Sequence, residues 1–214
     1  MQIGKEESRL ISTKQNGDNC IEIKHVEEAV NTLLESPYGI HALVIYSDLI
    51  TLKEFCSFYA KKSIEEKNEL LYLAPFYQTV ESKRQSLSEG HKSIDVQKYE
   101  KEEKSLIIAD SLENYYDKSA DIFNIESILK ANQKLVGYAK SLNKNGLSYL
   151  GDMGAFIYKN QILCLIDYES SLPTEFDPNL NLKGICLYHQ NDFDRLTYDQ
   201  KQEILNHHKP AIKI

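Results

Sequence analysis

Five short apolar runs, each closed by a polar or turn residue and separated from the next by helical patterning, constrain this chain more than any other feature. They are "HALVIYS" (His41–Ser47), "ELLYLA" (Glu69–Ala74), "SLIIAD" (Ser105–Asp110), "LSYLGD" (Leu147–Asp152) and Leu182–Tyr188. Their apolar residues run on rather than alternate, as in strands buried on both faces. Between the first two, Leu52, Phe55, Cys56 and Tyr59 recur at helical spacing. Ahead of "LSYLGD", Ile125, Ile128, Leu129, Leu135, Val136, Ala139 and Leu142 mark one helical face, which "NKNG" closes. Strands alternating with helices predict an α/β fold: a mostly parallel sheet of five to six strands with helices on both faces, in one domain over residues 21–214.

The remaining elements are read with less contrast. A helix is expected from about Ile21 to Leu34, stopped by "ESPYG", and another from Pro75 to about Glu89. "SIDVQKYEKEEK" reads as a short helix and "NYYDKSADIFN" as an exposed loop. "QILCLIDYESSL" fits a buried helix or a strand. Thr197 and Gln200 have capping-box spacing, and "AIKI" at the end fits a sixth, edge strand. Residues 1–20 are polar, carry Gly4 and Gly17, and read as a flexible tail.

Charge and cysteine usage narrow the class. The formal charge of −7, with basic residues interleaved among acids as in "KKSIEEKNE", argues against direct nucleic-acid binding, which needs clustered Lys and Arg. Cys20, Cys56, Cys164 and Cys186 stand far apart, the pattern of reduced thiols rather than of a disulfide frame or a zinc knuckle. Neither an apolar leader nor a run of membrane-spanning length is present, so the expectation is a cytoplasmic protein with no membrane contact.

In an open parallel sheet, ligands gather outside the carboxyl ends of the strands. Those ends carry Tyr46, Ser47 and Asp48; Asp110; Gly151 and Asp152; and Tyr188, His189 and Asp192. With all strands parallel, these groups share one crevice. No G-x-x-x-x-G-K-[ST] or G-x-G-x-x-G loop is present, and no Lys or Arg stands at those ends, so a nucleoside triphosphatase is disfavoured. A neutral small molecule, a cation or a metal ion suits the edge better. Each residue also has a plainer reading. Asp48 and Asp152 stand where a helix begins and can cap it, and Asp110 can open a turn. Tyr46 and Tyr188 can pack in the core. Cys186, His189 and Asp192 form a conceivable metal set, although their spacing is not a zinc signature and Cys186 reads more simply as a small core residue. At the opposite edge His41 opens a strand and "NHHKP" precedes the last one, which would bring His41 towards His207 or His208. No residue is nominated as a nucleophile, and no H-E-x-x-H helix or nucleophile elbow is present.

Several of these stretches, in this order, resemble the sensory domain named for methanogens, methylotrophs and the regulator DcmR (MEDS). "HALVIYSD" is similar to the family's opening His-strand-Tyr-acid segment, and "NELLYLAP" and "KSLIIADSLENYY" to its next strands. "YLGDMGAF" resembles its Gly-Asp-Met segment and "LIDYESSL" its helix carrying a Tyr-Glu pair. "GICLYHQNDF" and "ILNHHKPAIKI" resemble its Cys-x-Tyr strand and His-Pro-apolar end. Two departures stand out: His189 replaces a frequent acid, and Lys209 separates His208 from Pro210. The resemblance covers residues 36–214 and resolves "QILCLIDYESSL" as a helix.

The resemblance implies a RecA/KaiC-like α/β core without a working phosphate loop. It also implies a non-catalytic, ligand-sensing domain of prokaryotic signal transduction for small hydrocarbon derivatives. The expected ligand site is Tyr46, Asp48, Asp110, Gly151, Asp152, Glu169, Tyr188 and His189, with Glu169 supplied by the Tyr-Glu helix. No organic cofactor is expected; a metal ion is compatible. Output would pass to a partner such as a histidine kinase or a transcription factor, and a homodimer is one arrangement. The rival reading is a metal-assisted hydrolase using His189 and Asp192, or a degenerate nucleotide-binding protein of the same fold.

Overall fold

A computed structural model describes residues 20–116 and 123–214. The expectations for the N-terminal tail, apart from Cys20, and for the middle of "NYYDKSADIFN" lie outside the described residues. Seven parallel strands form one sheet: β1 (Ile21–Glu22), β2 (His41–Tyr46), β3 (Leu70–Ala74), β4 (Leu106–Ile108), β5 (Leu147–Asp152), β6 (Leu182–His189) and β7 (Ala211–Lys213). Their order across the sheet is β1-β7-β2-β6-β5-β3-β4. The α/β class and parallel sheet are those expected, with one more strand than the sequence suggested. That strand is β1, an edge of two exposed residues too short to show a period. The helix expected from Ile21 therefore starts only at Val26, as α1 (Val26–Glu35). "AIKI" supplies β7, which is not an edge strand: it lies between β1 and β2.

Helix α2 (Leu49–Lys61) continues into a π-helical turn over Lys62–Glu66. The helix expected from Pro75 begins five residues later, as α3 (Val80–Ser88), where Thr79 Oγ1 accepts from the Ser82 amide at 3.1 Å. Residues 75–78 instead cross the carboxyl end of the sheet, where Phe76 meets Tyr158 and Tyr77 meets His189. The short helix expected in "SIDVQKYEKEEK" is largely a π-helical turn, Lys98–Glu102. The loop expected from Asn114 begins inside α4 (Ser111–Tyr115), whose Tyr115 is buried. α5 (Ile125–Ser141) is followed by α6 (Gly154–Tyr158) and α7 (Ile162–Ser171), so "QILCLIDYESSL" is helical. α8 (Gln190–Asp194) and α9 (Tyr198–His207) complete the chain, and Thr197 and Gln200 form the capping box on α9.

The sheet is the middle of three layers. Ala42, Val44, Tyr46, Leu150, Ile185 and Leu187 turn towards α1, α2 and α3. Leu43, Ile45, Cys186 and Tyr188 turn towards the second layer, which holds Tyr115, Ile128, Phe156, Leu165, Tyr168 and Ile204. Because successive residues of a strand point to opposite faces, this alternation decides which polar side chains can meet.

At the amino edge a buried network ties three strands together. Glu69 stands immediately before β3 and is fully buried. Its Oε2 accepts from Ser148 on β5 at 2.6 Å and from Ser63 at 2.8 Å; its Oε1 accepts from Tyr38 at 3.0 Å and lies 3.4 Å from Lys183 Nζ on β6. Lys183 also donates to the Leu34 carbonyl at 2.7 Å, so neither charge is left alone. Removing one partner of such a pair leaves the other charged and buried. Glu69→Ala should therefore lower the unfolding free energy by about 3–5 kcal/mol in urea titrations. A Glu69→Leu, Lys183→Met double variant should recover most of that loss. A single-variant loss below about 1 kcal/mol would show that the network does not hold the strands.

Candidate functional site

The expected site residues divide between the two faces of the sheet. On the α2–α3 face, Tyr46, Asp152 and His189 come together at the carboxyl end. The Tyr46 hydroxyl donates to Asp152 Oδ2 at 3.0 Å, and the His189 ring stands edge-on to Tyr46 at 5.3 Å. Tyr77 lies against the other side of His189, 5.4 Å between ring centroids, and donates to Asp192. Asp152 Oδ1 accepts from the Gly154 amide at 3.0 Å and so turns the chain into α6. Beside Asp152 and Cys56, Lys83 is buried at a cavity of about 10 Å³, room for one water, with its ammonium acting on both neighbours. Lys83 escaped the sequence reading although it stands three residues after Val80 and four before Leu87, on the face those two apolar residues mark.

Asp48 and Asp110 are helix caps. Asp48 Oδ1 accepts from the Ile50 and Thr51 amides at 2.8 and 2.9 Å, and Asp110 Oδ1 from Leu112 and Glu113 at 2.8 and 3.2 Å. His189 also caps, its Nδ1 accepting from Asn191 at 3.1 Å. Gly151 is a point of close approach: a β-carbon there would lie 2.3 Å from the Tyr115 hydroxyl.

Glu169 and Tyr188 lie on the opposite face, away from Tyr46 and Asp152. Tyr188 donates to Glu169 Oε1, and around Glu169 Oε2 gather His208 Nε2 at 3.3 Å, Cys186 Sγ at 3.5 Å and His41 Nε2 at 3.7 Å. The His41 and His208 rings are 4.0 Å apart. Cys186 and His189, three residues apart on one strand, point to opposite faces, so the structure does not assemble Cys186, His189 and Asp192 as one metal set. The expected approach of His41 to His208 is thus present, and the same alternation adds Cys186 to them, a member that sequence spacing did not show.

A cavity of about 290 Å³ opens above this group. Its floor is Gly184, Ile185, Cys186 and His41; α5 contributes Leu129 and Val136, α7 Tyr168, and the segment after it Phe176. Most of the wall is carbon; Asn132, Gln133 and Ser171 add polar groups to those of His41 and Cys186. Typical small-molecule sites span about 300–1,000 Å³, so this one is at the small end. Gly184 is what lets Phe176 close over the floor, since a β-carbon there would lie 2.7 Å from the Phe176 ring.

The two faces also differ electrostatically. Burial raises the Asp152 carboxyl to about 6 against the opposing pull of the Gly154 amide, Tyr46 and Lys83. Burial acts the same way on Glu169, but His208, His41 and the Tyr188 hydroxyl outweigh it and hold the carboxyl at about 2. Burial and the neighbouring His208 push the His41 imidazole down to about 3, so it is neutral. Burial beside Glu169 drives the Cys186 thiol well up.

The geometry defines a three-layer α/β domain with a small apolar cavity floored by buried titratable groups. Residues 40–209 match the MEDS family, the methanogen/methylotroph, DcmR sensory domain, and the chain belongs to that family. None of the curated proteins and none of the solved structures compared with the chain matches it. Among the described residues, no helix is long and apolar enough to cross a membrane.

A carboxyl whose folded-state pKa is raised stabilises the fold below its unfolded pKa and loses that contribution as pH rises through the folded value. Asp152→Asn removes this dependence. The variant's stability deficit against the parent should shrink by up to about 3 kcal/mol from pH 4 to pH 8, read from urea titrations at each pH. A deficit that does not change with pH would show that Asp152 carries its charge without penalty.

Proposed function

We propose that the chain is a non-catalytic ligand-sensing domain that binds a small, largely apolar molecule, of the class of simple hydrocarbon derivatives, in the cavity above His41 and Cys186. The cavity carries this reading: it is preformed, mostly carbon-walled and sized for a small guest, with His41 and Cys186 among its few polar groups. Membership in a sensory-domain family agrees with it. So does the state of the nearby groups, because a thiol held protonated and a neutral imidazole tied to a carbonyl are poorly placed to attack a substrate. The RecA/KaiC-like comparison comes from the family resemblance, and the all-parallel sheet agrees with it at the level of class. After β2, however, Asp48 opens α2 directly, with no glycine loop to cradle a phosphate. Binding would shift the domain between two states and pass the signal to a partner such as a histidine kinase or a transcription factor. The shift is limited by the ligand's differential affinity, typically about 1–3 kcal/mol.

A second location, the carboxyl-edge group of Tyr46, Asp152 and His189, is favoured by the buried ammonium of Lys83 beside it. Halogenated methanes and short alcohols, added to the purified chain, should raise the thermal unfolding midpoint. The rise should vanish in Val136→Trp, which fills the cavity, and survive in Asp152→Ala. Loss in Asp152→Ala with retention in Val136→Trp would move the site to the carboxyl edge. No stabilisation by any of these compounds would count against the sensor reading.

A further inference from the structure

His41 from β2, Glu169 from α7, Cys186 from β6 and His208 from the end of α9 each turn one ligand atom to a common point. The four atoms lie within 4.8 Å of one another, and all four residues are buried. His208 Nε2 is 3.3 Å from Glu169 Oε2; Cys186 Sγ is 3.5 Å from both His41 Nε2 and Glu169 Oε2; His41 Nε2 is 3.7 Å from Glu169 Oε2. Bonds of about 2.0–2.3 Å to a tetrahedral metal set ligand–ligand distances of roughly 3.3–3.8 Å. These four distances therefore already have the metal-bound length.

The groups behind the cluster orient it in the same sense. His41 Nδ1 is 3.1 Å from the Pro173 carbonyl and His208 Nδ1 is 2.7 Å from the Ile204 carbonyl. A carbonyl only accepts, so each Nδ1 carries a hydrogen, which leaves each Nε2 as the inward-facing atom of its ring. Tyr188 donates to Glu169 Oε1 and leaves Oε2 facing the same point. Ligand histidines and carboxylates are held in this way in metal sites, with the outer atom hydrogen-bonded and the inner atom bare. His208 Nε2 is buried 3.3 Å from Glu169 Oε2, outside good hydrogen-bond geometry. With that nitrogen turned to a carboxylate oxygen, a cation between the two would satisfy both.

We propose that His41, Glu169, Cys186 and His208 bind a zinc ion. Binding would release the Cys186 thiol proton to solvent, and the resulting two imidazoles, one thiolate and one carboxylate are a borderline-soft donor set suited to zinc. The two anionic ligands cancel the ion's charge, which suits a buried site. All four positions are filled by the chain, so the ion is a closed, structural clamp joining β2 and β6 to α7 and α9. His41 and Cys186 also line the cavity, which gives the ion a way in. The zinc site stands whether or not the cavity takes a guest.

The full chain, stripped with a chelator and checked for folding by circular dichroism, is titrated with zinc against a chromophoric chelator and separately with cobalt(II). One equivalent of zinc should bind, and the unfolding midpoint should rise. Cobalt should give the visible bands of a tetrahedral site and a thiolate charge-transfer band in the near ultraviolet. Cys186→Ser should remove the charge-transfer band, Glu169→Gln and His208→Ala should weaken zinc binding about tenfold or more, and Cys164→Ser should change nothing. Should the variants not fold, the parent's cobalt spectrum decides: six-coordinate bands, or no thiolate band, overturn the proposal. Absence of zinc uptake overturns it, and so does uptake unchanged by Cys186→Ser and His208→Ala.

Discussion

The hydrogen-bonded register between β2 and β6 is the constraint on which the rest of the structure depends. It pairs His41 with Gly184, Leu43 with Cys186 and Ile45 with Tyr188. Because the pleat has a period of two, this register sends His41, Cys186 and Tyr188 to one face and Tyr46 and His189 to the other. A slip of β6 by one residue would turn Cys186 and Tyr188 towards α2 and His189 towards α7, parting them from His41 and Tyr46, which would keep their faces. The glycine opposite His41 matters for the same reason, since it leaves room for Phe176 to close over the floor between the two strands.

Three buried polar groups then divide the sheet by height and face. The Glu69 network pins the amino ends of β3, β5 and β6, where Tyr59 adds a 2.9 Å bond to Ser148. The Asp152 group occupies the carboxyl end on the α2–α3 face, and the Glu169 group the middle of the opposite face. Each is paired or hydrogen-bonded in keeping with the cost of leaving a charge alone in the interior. The contrast between the two carboxyls shows how far neighbours decide. Both are fully buried, yet Asp152 is pushed up to about 6 while two imidazoles hold Glu169 at about 2.

The strands, the longest helices and the parallel class were legible in the sequence because they rest on local period and on long apolar runs. β1 was not, being two residues of an edge strand that the final strand recruits from far along the chain. Pro75 misled for a physical reason: proline suits a first helical turn, but here Phe76 and Tyr77 are drawn over the sheet's end to pack on Tyr158 and His189 before Thr79 can cap. For the sites, sequence found most of the relevant residues but not their company. Glu169 was attached to the carboxyl edge through the helix that carries it, whereas the facing of that helix joins it to His41, Cys186 and His208. Adjacency in sequence suggested Cys186 with His189, and the pleat separates them. Only a resolved sheet register distinguishes those outcomes.

The distribution of rigid and adaptable parts follows from the same register. The cavity floor is strand, held by ladder hydrogen bonds on both sides and by the Glu69 network at one end. Of its walls, α5 meets the floor through side-chain contacts, α7 is also tied to it by the Tyr188–Glu169 hydrogen bond, and the segment carrying Phe176 by the Phe176 amide, which donates to the Gly39 carbonyl at 2.7 Å. A guest that fits one spacing of those walls better than another can move them without breaking a ladder, whereas moving the floor would disrupt several strands at once. Any response to occupancy must therefore travel through the helices of this one layer. The α1–α3 layer, shielded by the sheet, stays in place as the fixed side of the molecule.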